Sequence, residues 1–221
     1  MTPHCNRAHR NLAGRWDARH LAFIETMDCD VLLLTEVSER VDLPAHDLHL
    51  GCLQMMPKRR WAAVASRLPM RPLPDPHGAS AMAEIEGIRF CSSILPWRSC
   101  GTRDLWVGAN TAEKTNTAVV ALEAAAPEVW GGDWNHALSG REWTGSIAGR
   151  TSILEAVDRL RLHVPTASSP HQIDALLSID HIAVPTTWVM GDAQRYRAFD
   201  SGTRISDHDA YVVEVHPRRV G

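Results

Sequence analysis

Asp133 and Asn135 stand two residues apart in GGDWNHAL, where the strand-like run PEVWGGDWN stops. In extended chain that spacing turns both side chains to one face, so they can converge on one atom. Three further strand-like runs carry acids, amides or imidazoles at an end. Glu36 closes DVLLLTEV, Asp180 and His181 open SIDHIAVP, and Asp207, His208 and Asp209 precede the last strand in RISDHDAYVVEV. One charged residue at a strand end is ordinarily a solvated rim residue. Four clusters rich in Asp, Glu, Asn and His are a different pattern, because grouped carboxylates repel one another and a bound cation relieves the repulsion. Oxygen donors of this kind favour Mg²⁺ or Mn²⁺ over Zn²⁺.

These residues need elements to hold them. RWDARHLAFIETMD has an imperfect helical period, and CDVLLLTEV is the dense apolar run of a strand buried on both faces. WAAVASR and GIRFCSSIL read as strands, the second opened by a turn at Gly87, and the Pro-rich LPMRPLPDPHGAS reads as a loop between strands. NTAEKTNTAVVALEAAA predicts a helix capped by Thr111 or Asn110, with Pro127 beyond its end. GRTSILEAVDRLRL predicts another, capped near Thr151 or Ser152. SIDHIAVP and AYVVEVHP are strands. Helices and strands mix without strict alternation, which suggests two sheets covered by helices.

Composition narrows the function. A chain of 221 residues suits one domain, taken as 1–221, with 44% hydrophobic and 22% charged residues. A net charge of −3 argues against a large footprint on duplex nucleic acid and for a small or single-stranded substrate or only a few phosphate contacts. Five cysteines, without a CxxC, argue against structural zinc and read as mostly packed thiols. The longest apolar runs are too short to span a bilayer and MTPHCNRAHRNLAGRW lacks a signal-like apolar core, so a cytoplasmic monomer is expected. Of the eight tryptophans, Trp97, Trp106 and Trp143 are either core filler or stacking surfaces.

The order Glu36 in LLLTEV, then GDWN, IDHI and SDHDA resembles the endonuclease/exonuclease/phosphatase superfamily, and WAAVASRLPM is similar to its strand ending in Ser-Arg. The match runs over nearly the whole chain. The resemblance implies an α/β/β/α four-layer sandwich of two mixed sheets, with the site at one end. It implies a Mg²⁺- or Mn²⁺-dependent phosphoester hydrolase, a phosphodiesterase or nuclease, acting on a phosphoester substrate, nucleic acid included. Glu36 then holds the metal, and Asp207 lies near it directly or through water. Asp133 positions or deprotonates the attacking water and Asn135 holds water or phosphate. His208 donates to a phosphate oxygen as imidazolium, with Asp180 behind it. His136 and His181 stay open between packing and catalysis, and Asp209 reads as a rim residue.

Two departures from the family pattern stand out. The family's first strand ends in Trp-Asn, whose asparagine helps hold metal. Here Cys5-Asn6 occupies that place, with Asn11 as the rival, so Asn6 belongs to the metal set on a first strand that is very short. The central strand of many members carries a His or Tyr shortly before a proline. In FCSSILPWRS that position is Ser93 or Ile94, leaving nearby Arg98 as a phosphate contact. The alternative function is a non-catalytic binding protein on the same fold.

Overall fold

The run Val31–Leu34 is divided between two cores. Val31 and Leu33 pack on one side of their strand, Leu32 and Leu34 on the other, and all four are fully buried. Only a strand sandwiched between two layers uses four consecutive apolar residues this way. The computed structural model describes residues 5–101 and 104–216, and the side chains of all of these but residues 5–7 and 10.

The first sheet is built from β1 (Cys5–Asn11), β2 (Val31–Ser38), β3 (Asp47–Leu50), β4 (Gln54–Met56) and β5 (Arg59–Ser66). The chain then crosses to a second sheet of β6 (Met70–Leu73), β7 (Ser80–Ile85), β8 (Ile88–Ile94), β9 (Val129–Asp133), β10 (Leu162–His163) and β11 (Asp180–Pro185). It returns to the first with β12 (Val189–Met190), β13 (Gln194–Tyr196) and, beyond the hairpin of β14 (Phe199–Asp200) and β15 (Thr203–Arg204), β16 (Ala210–His216). Both sheets are mixed: β1 runs parallel to β2 and antiparallel to β16, and β9 parallel to β8 and antiparallel to β11.

Val31, Leu33, Val64, Phe90, Val129 and Ile182 fill the space between the sheets. α1 (Ala18–Met27) covers the outer face of the first sheet through Ile24 and Met27, while α2 (Thr111–Ala125) and α3 (Ile147–Arg159) cover the second. The layers are helix, sheet, sheet, helix, as expected.

Local chemistry explains the boundaries. Asp17 caps α1, accepting from the amides of Arg19 and His20, and Asn110 rather than Thr111 caps α2 by accepting from Glu113 N at 3.0 Å. α3 begins earlier than Thr151 or Ser152 predicts. Ser146 is its cap, and Gly149, a poor helix former, is tolerated in the first turn. The Pro-rich segment is not all loop, because Met70–Leu73 forms β6. As the edge strand, β6 accommodates Pro72 without losing a ladder bond inside the sheet.

Gly132 is dictated by close approach: at φ +137°, a Cβ there would lie 1.9 Å from the Ser93 carbonyl oxygen on β8. Gly132→Ala should therefore cost at least about 2 kcal/mol of unfolding free energy in urea titrations. A variant as stable as the parent would contradict the contact.

Candidate functional site

The two sheets deliver polar residues to one edge of the sandwich. β1 and β2 are parallel and end there with His9, Asn11 and Glu36, while β9 ends there with Asp133. β11 starts there, with Asp180 paired in register to Asp133, and the turn Ser206–Asp209 enters β16 from the same edge. Glu36 and Asn135 both hold left-handed backbone, at φ +50° and +52°. Such backbone costs a non-glycine residue about 1–2 kcal/mol and is found where the surroundings impose it.

Asp180 is almost fully buried and lies between two imidazoles. His9 Nε2 is 3.0 Å from Oδ1, and His208 Nδ1 is 2.8 Å from Oδ2 and 3.1 Å from Oδ1. His9 Nδ1 lies 2.8 Å from the Leu33 carbonyl, so both of its ring nitrogens are engaged. His208 Nε2 points toward Asp133 Oδ2 at 3.9 Å. Asn11 joins the sheets, its amide lying 3.4 Å from Asp133 Oδ2 and 3.5 Å from Glu36 Oε1, while its Oδ1 accepts from Ala13 N. Ser206 Oγ donates to the Asn11 carbonyl at 2.8 Å and accepts from His208 N, which fixes the histidine turn to β1.

Burial pushes Asp133 up to about 8; His208 pulls it down, and Asp180 and Glu36 reinforce the rise. For Asp180 burial acts upward but is outweighed by the charge and hydrogen bonds of His208 and His9, so its carboxyl sits well below the usual range. Burial acts against a charged His208, yet Asp180 and Asp133 raise it to about 10. The set is thus a carboxylate–imidazolium pair beside a carboxyl group that burial, reinforced by two neighbouring carboxylates, pushes toward its protonated form.

The gathered carboxylates fit a hard divalent cation, which would offset the repulsion that adds to the burial of Asp133. Asp133, Asp180 and His208 offer ligand atoms within 4.8 Å of one another. Two of these are committed to each other, however, and a cationic His208 repels a metal. Glu36 and Asp207 are better placed. Both line a cavity of about 550 Å³, together with Arg15, Arg59, Gln172 and Arg204. Arg59 Nη1 donates to Glu36 Oε2 at 2.8 Å, and its guanidinium lies across Gly14, where a Cβ would fall 1.7 Å from Nε.

Asp133, Asp180, His208 and Glu36 are brought together, with Asp207 on the cavity wall. Asn135 does not share an extended face with Asp133. Its amide N–H turns back to Asp133 Oδ1 and its side chain donates to the Leu95 carbonyl. Asn6 is not brought to the cluster: it pairs with Glu214 in β1, five residues and roughly 16 Å of strand before Asn11, and its side chain lies outside the described ones. β1 runs on to Asn11, which takes the place expected of Asn6. Arg98 is exposed on the loop beyond β8 and bonds the Gly145 carbonyl rather than any member of the cluster.

His136 and His181 are packing residues. His181 Nε2 donates to the His136 carbonyl, His136 Nδ1 to the Trp134 carbonyl, both rings are fully buried, and burial lowers His181 to about 4. Asp209 is not at the rim but 2% exposed, bound by Arg195, Arg204 and Ala198 N. Trp106 is core, packed on Trp61 and His77. On β8, Ser93 Oγ accepts from Trp130 Nε1 and Ile94 is buried, so that side contributes no titratable group. His9 was missed. The signal was its spacing of two from Asn11, which puts both on one face, but a strand as polar as CNRAHRN does not announce burial.

No family model matches the chain, and no curated protein matches it. Solved structures do. The endonuclease domain of TRAS1, a telomere-specific non-LTR retrotransposon, superposes with a TM-score of 0.67 at 14% identity, covering 97% of this chain and 99% of that one. The AP endonuclease LMAP from Leishmania major gives 0.67 at 14%, covering 97% and 88%. The endonuclease/exonuclease/phosphatase from Bacteroides vulgatus gives 0.64 at 13%, covering 98% and 100%. At these identities the likeness is one of fold, and it agrees with the resemblance carried by the four motifs: the chain has the endonuclease/exonuclease/phosphatase fold.

Proposed function

We propose that the chain hydrolyses a phosphoester, most readily a phosphodiester, with Mg²⁺ or Mn²⁺ bound at Glu36. The observation that carries this reading is the meeting of Asp133 with the His208–Asp180 pair and the Asn11–Glu36 contact at one edge of this fold. In its ionised form Asp133 would orient the attacking water and take its proton. His208 donates from Nε2 to a non-bridging phosphate oxygen, while Asp180 holds Nδ1 and stabilises the imidazolium. Glu36, with Asp207, would hold the cation, which when bound neutralises phosphate charge, and Asn11 would orient Glu36 through its amide. Asn135 sets the turn that presents Asp133, and Arg98 remains available to a substrate that extends past β8.

A second reading, a non-catalytic binding protein, is favoured by two observations. Arg59 already neutralises Glu36, and β8 carries no titratable side chain at the site. Mg²⁺ and Mn²⁺ titration calorimetry separates the two: the hydrolase binds metal, and Glu36→Gln weakens that binding at least ten-fold.

With metal, the chain should hydrolyse bis-p-nitrophenyl phosphate. Asp133→Asn and His208→Gln should each lower kcat/KM by about 10²–10⁴. Full activity in both variants would end the hydrolase reading.

Asp133 and His208 are both raised on folding, so the metal-free native state holds more protons than the unfolded chain between about pH 4 and 8 for the acid and about pH 6.5 and 10 for the imidazole. Their contribution to stability is present at low pH and lost as pH rises through those windows. The metal-free Tm should therefore fall from pH 6.5 to 9 in thermal scans. Mg²⁺ should restore more of it at the alkaline end, and His208→Gln should flatten the slope.

A further inference from the structure

The cavity over Glu36 and Asp207 continues past Arg15 and Arg59 into a second one of about 400 Å³. That groove is walled by Trp16, Ser38, Arg40, Met56 and Lys58. Arg15 and Arg40 are exposed, and among the described residues neither guanidinium has a hydrogen-bond or ion-pair partner. Lys58 stands on the same wall, within electrostatic reach of Glu39. The acid in the groove, Asp17, is spent on capping α1 and pairing Arg19. A chain of net charge −3 thus keeps uncommitted cations together beside its carboxylate centre.

Beside these cations lie two apolar surfaces. Trp16 is half-buried and Met56 is 47% exposed. Cations alone would suit any polyanion. Cations interleaved with an indole suit a ligand that alternates phosphates with flat apolar rings, which is a nucleotide chain. A ring can reach Trp16 only when its base is unpaired. Each cavity is of nucleotide size, and they adjoin in a line through Arg15 and Arg59.

Resting on the phosphoesterase reading of the centre, we propose that the groove of Arg15, Trp16, Arg40 and Lys58 binds a single-stranded nucleic acid on one side of the scissile phosphate. The phosphate next to the reacting one lies between Arg15 and Arg59, the following one reaches Arg40, and a base rests on Trp16. The substrate class is a single-stranded oligonucleotide or strand end, in preference to a small phosphodiester or an intact duplex.

Binding can be read without turnover, from the anisotropy of a fluorescein-labelled oligothymidylate in EDTA. Arg15→Ala and Arg40→Ala should each weaken binding several-fold and flatten the dependence of log K on log salt by about 0.7 per lost phosphate contact. Arg40→Lys should recover most of the slope, and Trp16→Ala should weaken binding roughly ten-fold. Arg71→Ala, on the far edge of the second sheet, should change nothing, and thermal melts check that each variant is folded. An unchanged affinity and slope in both arginine-to-alanine variants would overturn the proposal, as would a duplex of equal length binding as tightly as the single strand. Wild-type hydrolysis of bis-p-nitrophenyl phosphate without oligonucleotide binding overturns the groove alone. Groove binding without hydrolysis under either cation overturns the reading of the centre and leaves the groove standing.

Discussion

One buried carboxylate ties the two sheets together where the site forms. Asp180 belongs to the second sheet, His9 to the first, and His208 to the turn entering the last strand of the first, and the three side chains meet within hydrogen-bonding distance. A charge buried this deeply is tolerated only when paired, and removing one partner of such a set typically costs about 3–5 kcal/mol. The edge of the sandwich is therefore held by an electrostatic contact, whereas its interior is held by apolar contact among Val31, Leu33, Phe90 and Ile182. The interior sets the spacing of the sheets. The Asp180 set fixes their alignment at the end, and so the positions of Asp133 and His208.

The left-handed backbone at Glu36 and Asn135 belongs to the same economy. A strand that kept its regular alternation through Glu36 would keep its side chain in the pleat of the sheet. The twist there turns the carboxylate toward Asn11 and Arg59 instead. At Asn135 it closes the turn that returns an amide to Asp133 and frees the asparagine side chain for the Leu95 carbonyl. Asparagine adopts this conformation readily; at Glu36 the local preference gives way to the geometry of the centre.

The layered architecture was legible because burial on both faces leaves a dense apolar run, as in VLLL and DHIAVP, and because capping residues mark helix starts. What was hidden has physical reasons. β1 shows no such run: it lies inside a sheet yet carries His9 and Asn11, whose burial is made tolerable by partners distant in sequence. Without such a run the end of the strand, at Asn11, is not marked in the sequence. β6 was hidden by Pro72, which an edge strand tolerates, and the start of α3 by Gly149. Of the candidate site, the meeting of Glu36, Asp133, Asp180 and His208 could be anticipated because the motifs keep their order along the chain. The assignment of His136 and His181 to the core, and of Asp209 to an ion pair with Arg195 and Arg204, depends on distant contacts that no short segment encodes.

Gly14 and Arg59 occupy one volume. A Cβ at position 14 would fall 1.7 Å from the Arg59 Nε, and the guanidinium lying there is the one that neutralises Glu36. The two positions are therefore coupled in what they allow. With arginine at 59, a side chain at 14 would push the guanidinium off Glu36, and the φ of +65° disfavours it as well. With a short residue at 59 the steric bar lifts, Glu36 gains a free carboxylate oxygen, and only the backbone preference for glycine remains. Among chains that share this fold, an enlarged residue at 14 should come with a shortened residue at 59 or with an arginine there that no longer reaches Glu36.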